Sequence, residues 1–175
     1  MGWPNIITGV RIALVPVLVV LVAAQTDAAS YAAAAVFVAG GVTDGLDGYV
    51  ARRHRMTTRT GAWLDPLSDK FLVVAPVLTM TALGEFPLWG AVIIVAREAA
   101  VVALRAFRGT QGTSMPASDI AKIKTGAQLV AITLYLLPLH GANGARVVAL
   151  AVAVAITLYS GLDYFLRAPR PRAPS

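Results

Sequence analysis

The sequence contains no cysteine and only two histidines. Disulfides, thiolate metal sites and a thiol nucleophile are therefore excluded, and any metal must be held by oxygen or isolated imidazole ligands. Charge is scarce as well: 14% of the 175 residues are charged, and only nine are acidic. A hydrophobic share of 57% with mean hydropathy +0.70 leaves too little polar surface for an ordinary water-soluble domain of this size. The chain reads as a membrane protein. Its net charge of +6 is the sign expected of a nucleic-acid binder, but in so apolar a chain Lys and Arg serve anionic cytoplasmic lipid, and no nucleic-acid partner is expected.

What the sequence does have is six apolar runs, at residues 6–24, 30–52, 62–82, 88–107, 122–139 and 145–166. About 20 apolar residues cross a hydrocarbon core of roughly 30 Å. The runs predict an all-α, polytopic membrane protein with six transmembrane helices, forming a single domain over residues 1–167. A short interfacial N-terminal segment carrying Trp3 and Pro4 precedes the first run, and a Pro/Arg tail at 168–175 is expected to be disordered. The first run is read as a span and not as a cleaved leader, because Arg11 lies inside it and no small-residue cleavage site follows.

The linkers at 25–27, 84–87 and 140–144 carry turn residues and neither Lys nor Arg. Basic residues gather at the alternate ends of the runs: Arg52, Arg53, Arg55, Arg59, Arg105, Arg108, Lys122, Lys124, Arg167, Arg170 and Arg172. The positive-inside bias then predicts a bacterial-type inner membrane location, multi-pass, with both termini and any site among these residues facing the cytoplasm.

A charged side chain at the bilayer centre costs roughly 2.5 to 3.5 kcal/mol on insertion scales. Yet four acids fall between positions 44 and 69. Asp44 and Asp47 are three apart near the end of the second run, and Asp65 and Asp69 are four apart near the start of the third, so each pair falls on one helix face. The short basic link between the runs predicts an antiparallel hairpin that brings both pairs together. Facing carboxylates repel unless hard cations bridge them, which points to Mg²⁺ or Mn²⁺. Gly48 and Gly61 remove side chains where a phosphate must approach. Interfacial ion pairing to Arg52, Arg53 and Arg55 would account for one or two of these acids, but not for four on two faces.

At these residues the sequence resembles the CDP-alcohol phosphotransferases, whose pattern D-x-x-D-G-x-x-A-R-x8-G-x3-D-x3-D is met by Asp44, Asp47, Gly48, Ala51, Arg52, Gly61, Asp65 and Asp69. The resemblance implies an enzyme in which the four aspartates bind two metal ions and Asp69 also acts as the base. It implies that Gly48, Arg52 and Thr58, together with Gly61, face the CDP-lipid, with Asn5 and Thr8 bordering the nucleotide. A helix-capping role explains Asn5 and Thr8 equally well. The chemistry suits the residues: metal orients the pyrophosphate, CMP leaves, and Asp69 takes the proton of the attacking alcohol. A homodimer is implied too. The Ala-rich stretches at 32–35 and 149–155 would allow close approach either between protomers or within one.

A second basic set, Arg97, Arg105, Lys122 and Lys124, suggests an acceptor that carries a phosphate. Positive-inside topology alone would also place Arg105, Lys122 and Lys124. Arg97 lies within an apolar run and needs Glu98, Asp163 or a ligand as partner. These segments resemble the branch of the family that uses glycerol 3-phosphate, which carries R-E-x5-L-R and G-K-x-K-T. Here the first is Arg97-Glu98 leading to Leu104-Arg105, and the second is Ala121-Lys122-Ile123-Lys124-Thr125. Gly45, Val102-Ala103 and Ala121 depart from that branch. The expected substrates are CDP-diacylglycerol and glycerol 3-phosphate, with phosphatidylglycerol (giving cardiolipin) and inositol phosphate as alternative acceptors. An ion carrier is the competing class. The acids cluster near one face, no span is broken at its middle and no inverted repeat is visible, all of which oppose it.

Overall fold

The computed structural model describes residues 3–54, 61–109, 119–139 and 141–166, with side-chain environments for 9–43, 70–104, 123–139 and 141–162. Apolar runs of this length leave backbone groups no partner but their own segment, and all six become α-helices. These are α1 (Trp3–Ala23), α2 (Asp27–His54), α3 (Gly61–Ala82), α4 (Leu88–Gly109), α5 (Asp119–Leu136) and α6 (Asn143–Leu166). The described residues contain no strand. Thr58 and the tail at 168–175 lie outside them.

Several ends differ from the sequence reading, each for a local reason. Helix α1 begins at Trp3, so the expected interfacial lead-in is helical from that residue. Pro4 is no obstacle there, because the first turn of a helix has no use for its missing N–H. Helix α5 starts at Asp119, three residues before the apolar run, where an acid suits the positive end of the helix dipole. It stops at Leu136 because Pro138 disfavours the helical conformation at residue 137. Helix α2 is capped by Thr26, whose Oγ1 accepts the Ala29 N–H at 3.3 Å. Helix α3 closes with a Schellman motif: Gly84, at φ +76°, donates to the Thr81 carbonyl and Glu85 to that of Met80. Only glycine takes that φ without strain.

Among the described residues α6 alone, over Asn143–Leu162, is long and apolar enough to cross a membrane by itself. Shorter apolar stretches cover Gly9–Ala23, Asp27–Thr43, Lys70–Ala82 and Ile123–Leu136. Leu18, Phe37, Val77, Met80, Ile94, Ile132 and Leu150 form the sealed centre. The most extensive helix contacts are α1 with α3 and α5 with α6. Helix α1 also lies on α2, α4 on α6 and α3, and α2 on α5.

The three short linkers meet at one end of the bundle. Gln25 Nε2 donates to Glu85 Oε1 at 3.2 Å, joining the first linker to the second. Phe86 is buried against Tyr135 with ring centroids 4.6 Å apart, joining the second to the end of α5. Arg146, at the start of α6, lies 6.0 Å from the Tyr135 ring centre. Its Nε donates to the Leu134 carbonyl at 2.9 Å and its Nη2 to that of Leu137. The Leu134 carbonyl, in the last turn of α5, faces Pro138, which has no N–H to give, and the Leu137 carbonyl, just past the helix, also accepts the Leu139 N–H at 2.8 Å. The one basic residue near this end is therefore a helix cap. Arg146→Ala should lower stability by about 1–3 kcal/mol, since bonds from a charged donor are lost. Thermal unfolding in detergent checks this, with substrate affinities unchanged.

Candidate active site

Helix α2 runs 28 residues, about 42 Å at 1.5 Å per residue, and carries Asp44 and Asp47 in its second half, followed by Gly48 and Arg52. Helix α3 opens with Gly61 and carries Asp65 and Asp69 in its first turns. The two helices touch where α2 has no side chain: a Cβ on Gly40 would stand 2.7 Å from Leu72 Cδ2. Gly40 is one turn before Asp44, and Leu72 is three residues after Asp69. The close approach thus sits one turn inside both acid pairs, and a glycine permits it. Asn5 and Thr8 lie on α1, which packs on both helices. For Asn5, Thr8, Asp44, Asp47, Gly48, Arg52, Gly61, Asp65, Asp69, Arg105 and Lys122 the structure gives helical backbone positions.

The residue after Asp69 opens a charged cluster in the bundle interior. Glu98 on α4 is 3% exposed. Its Oε2 accepts Lys70 from α3, and its Oε1 accepts Lys124 from α5 together with its neighbour Arg97 at 3.2 Å. Arg97 Nη2 also donates to Ser160 Oγ on α6 at 3.1 Å. The carboxylate thereby joins α3, α4 and α5, and Arg97 adds α6. Burying it alone would cost several kcal/mol, and with three cations around it the desolvation is offset. Among the described residues, three cations against one carboxylate leave a surplus of two positive charges. One turn further in, Gln128 Nε2 donates to Thr157 Oγ1 at 3.2 Å, and both residues are buried.

Of the expected acceptor contacts, Arg97 and Lys124 are therefore brought together, with Glu98 as their common partner. Arg97 is paired with Glu98 and with Ser160, and the side chain of Asp163, also weighed for it, lies outside the described environments. The sequence reading passed over Lys70, Gln128, Thr157 and Ser160. For Gln128, Thr157 and Ser160 the available signal was the one that exposed Arg97: a polar side chain set in an otherwise apolar run.

Residues 1–159 match the family model described as CDP-alcohol phosphatidyltransferase. The chain is 39% identical to the Mycobacterium tuberculosis H37Rv protein named "Probable phosphatidylglycerophosphate synthase", over 95% of this chain and 81% of that one. It is 36% identical to the CDP-diacylglycerol–glycerol-3-phosphate 3-phosphatidyltransferase of Bacillus subtilis 168, over 93% of this chain and 92% of the relative. With the protein of the same name from Escherichia coli K12 it shares 35% identity, over 92% and 91%.

The Gly40 contact can be tested without any substrate. Gly40→Ala should cost about 1–3 kcal/mol, the usual penalty for overpacking a filled core. Leu72→Ala introduced alongside should recover part of that loss, so that the two changes are non-additive in thermal unfolding. Strict additivity would mean that α2 and α3 do not meet at this pair.

Proposed function

The chain belongs to the CDP-alcohol phosphatidyltransferase family, and on that premise we propose that it transfers the phosphatidyl group of CDP-diacylglycerol to the free hydroxyl of glycerol 3-phosphate, releasing CMP. The observation that carries this reading is the adjacency of two features on α3. The last aspartate of the intact eight-position pattern is followed directly by Lys70, a member of the cationic cluster. The relatives named for glycerol 3-phosphate support the same acceptor over phosphatidylglycerol or inositol phosphate.

The donor set fits a divalent cation. Asp44, Asp47, Asp65 and Asp69 offer oxygen only, and the glycine contact holds their helices together. Two ions, Mg²⁺ or Mn²⁺, would be held by these four residues, and when bound they supply charge neutralisation and orientation of the pyrophosphate. The remaining work falls to this chain's own groups. Gly48, Arg52, Thr58 and Gly61 receive the nucleotide end of the CDP-lipid, with Asn5 and Thr8 at its border. Arg97, Arg105, Lys122 and Lys124 hold the acceptor phosphate. Asp69 takes the hydroxyl proton as the acceptor oxygen attacks the lipid-side phosphorus. The phosphorus–oxygen bond to CMP then breaks, and CMP leaves with the electron pair.

An inverted distribution of polarity supports a bilayer setting. Glu98, Lys124, Gln128, Thr157 and Ser160 are buried, whereas Val20, Leu88, Val92, Val148 and Leu162 are exposed. Soluble monomers rarely show so much apolar surface around a charged interior. Six membrane helices with the acid-bearing end and both termini in the cytoplasm complete the reading. A homodimer accompanies it, to be checked by particle mass in mild detergent.

Purified chain supplied with CDP-diacylglycerol should release CMP with glycerol 3-phosphate, and lose that activity in excess EDTA until Mg²⁺ or Mn²⁺ is restored. Full turnover in the chelator would remove the metal from the mechanism. Asp69→Asn should lower kcat by about 10²- to 10⁴-fold with any acceptor. Lys122→Ala and Arg105→Ala should instead raise KM for glycerol 3-phosphate and spare KM for CDP-diacylglycerol. The reverse pattern would move these two residues to the nucleotide side.

A further inference from the structure

Glu98 is an unusual residue to find beside an anion site, since its own charge repels a phosphate. It is also more deeply buried than its partners: the side chains of Lys124, Arg97 and Lys70 are 5%, 12% and 25% exposed, against 3% for Glu98. Exposure thus rises from the sealed carboxylate outward to Lys70, the residue next to Asp69. A lysine on a four-carbon stem has many rotamers, and two ammonium groups drawn near each other repel. A carboxylate that gives one oxygen to Lys70 and the other to Lys124 and Arg97 fixes all three cations around itself.

We infer that Glu98 is the positioning residue of the acceptor site, holding Lys70, Arg97 and Lys124 in one constellation whose surplus of two positive charges selects a phosphomonoester dianion. The inference rests on the proposed reaction and adds to it a residue and a charge rule. A phosphomonoester carries about 1.5 to 2 negative charges at neutral pH, which matches the surplus. A phosphodiester, with one charge, leaves half of it unbalanced, and a plain alcohol leaves all of it. Ser160 extends the arrangement by holding the far edge of the Arg97 guanidinium from α6. Glu98 itself touches no reacting atom and acts through the cations it holds.

The test uses the full chain in detergent with CDP-diacylglycerol, comparing wild type, Glu98→Gln and Glu98→Asp. Glu98→Gln should raise KM for glycerol 3-phosphate at least about tenfold while KM for CDP-diacylglycerol stays within about twofold. Its preference for glycerol 3-phosphate over glycerol should shrink by a similar factor. Glu98→Asp, which keeps the charge, should restore most of the lost affinity. An unchanged or lowered KM for glycerol 3-phosphate in Glu98→Gln overturns the inference, as does an equal rise in both KM values. If that variant does not fold, Glu98→Gln with Lys70→Gln removes one charge of each sign. Against Lys70→Gln alone, the double variant should show a further KM rise, because Lys124 and Arg97 are no longer held, and a KM equal to that of Lys70→Gln overturns the inference. The two readings fail separately. A wild type that turns over phosphatidylglycerol and no phosphomonoester overturns the proposed acceptor, whereas normal turnover of glycerol 3-phosphate with an unmoved Glu98→Gln overturns only the role of Glu98.

Discussion

A carboxylate withdrawn from solvent has to be met by cations, and that requirement organises most of this bundle. Glu98 draws Lys70 from α3 and Lys124 from α5, and through Arg97 it reaches Ser160 on α6. Apolar side chains alone would allow these helices to slide or rotate against one another, because leucine packs on leucine in many registers. A charged hub does not. Each partner has one reach and one direction, and a shifted helix would leave an ion buried without its counter-charge. The interior polarity that looks costly in an apolar chain is what gives α3, α4, α5 and α6 a single arrangement.

The acid-bearing helices solve a different problem. Two pairs of aspartates brought together as proposed for the metal site would repel, so their helices need a contact that does not depend on the acids. Gly40 against Leu72 supplies it one turn away, and α1 packs along both helices. The opposite end of the bundle is held by neutral and singly charged contacts: Gln25 with Glu85, Phe86 with Tyr135, and Arg146 on the last carbonyls of α5. The helices are therefore secured at the linker end and in the middle, which leaves the ends bearing the aspartates and the arginines to the demands of chemistry.

Much of this was legible in the sequence. Helix number and approximate extent follow from the apolar runs, and the spacing of Asp44, Asp47, Asp65 and Asp69 is a property of the chain alone. Helix ends were less so, because they depend on local stereochemistry that hydropathy does not register: Pro4 tolerated in a first turn, Pro138 truncating α5, Thr26 capping α2. Arg146 is a single charge near the start of the last apolar run, and only its position against α5 shows it to be a cap. The Glu98 cluster was half visible. Arg97 plainly needed a partner, and the packing of α4 on its neighbours supplies Glu98 and Ser160. Lys70 was hidden by its surroundings, since a lysine at the basic end of a span is what topology alone would place there.

Adjacent positions on an α-helix are turned about 100° from each other around its axis. Lys70 is committed to Glu98 on α4, and position 69 is fixed at that angle from it by the same rigid backbone. Helix α3 is then geared: a rotation about its axis that advances one of the two positions toward its work must swing the other by the same angle. Proton removal and acceptor capture, as proposed for Asp69 and the Lys70 cluster, would share a single moving part, and neither could be retuned without disturbing the other.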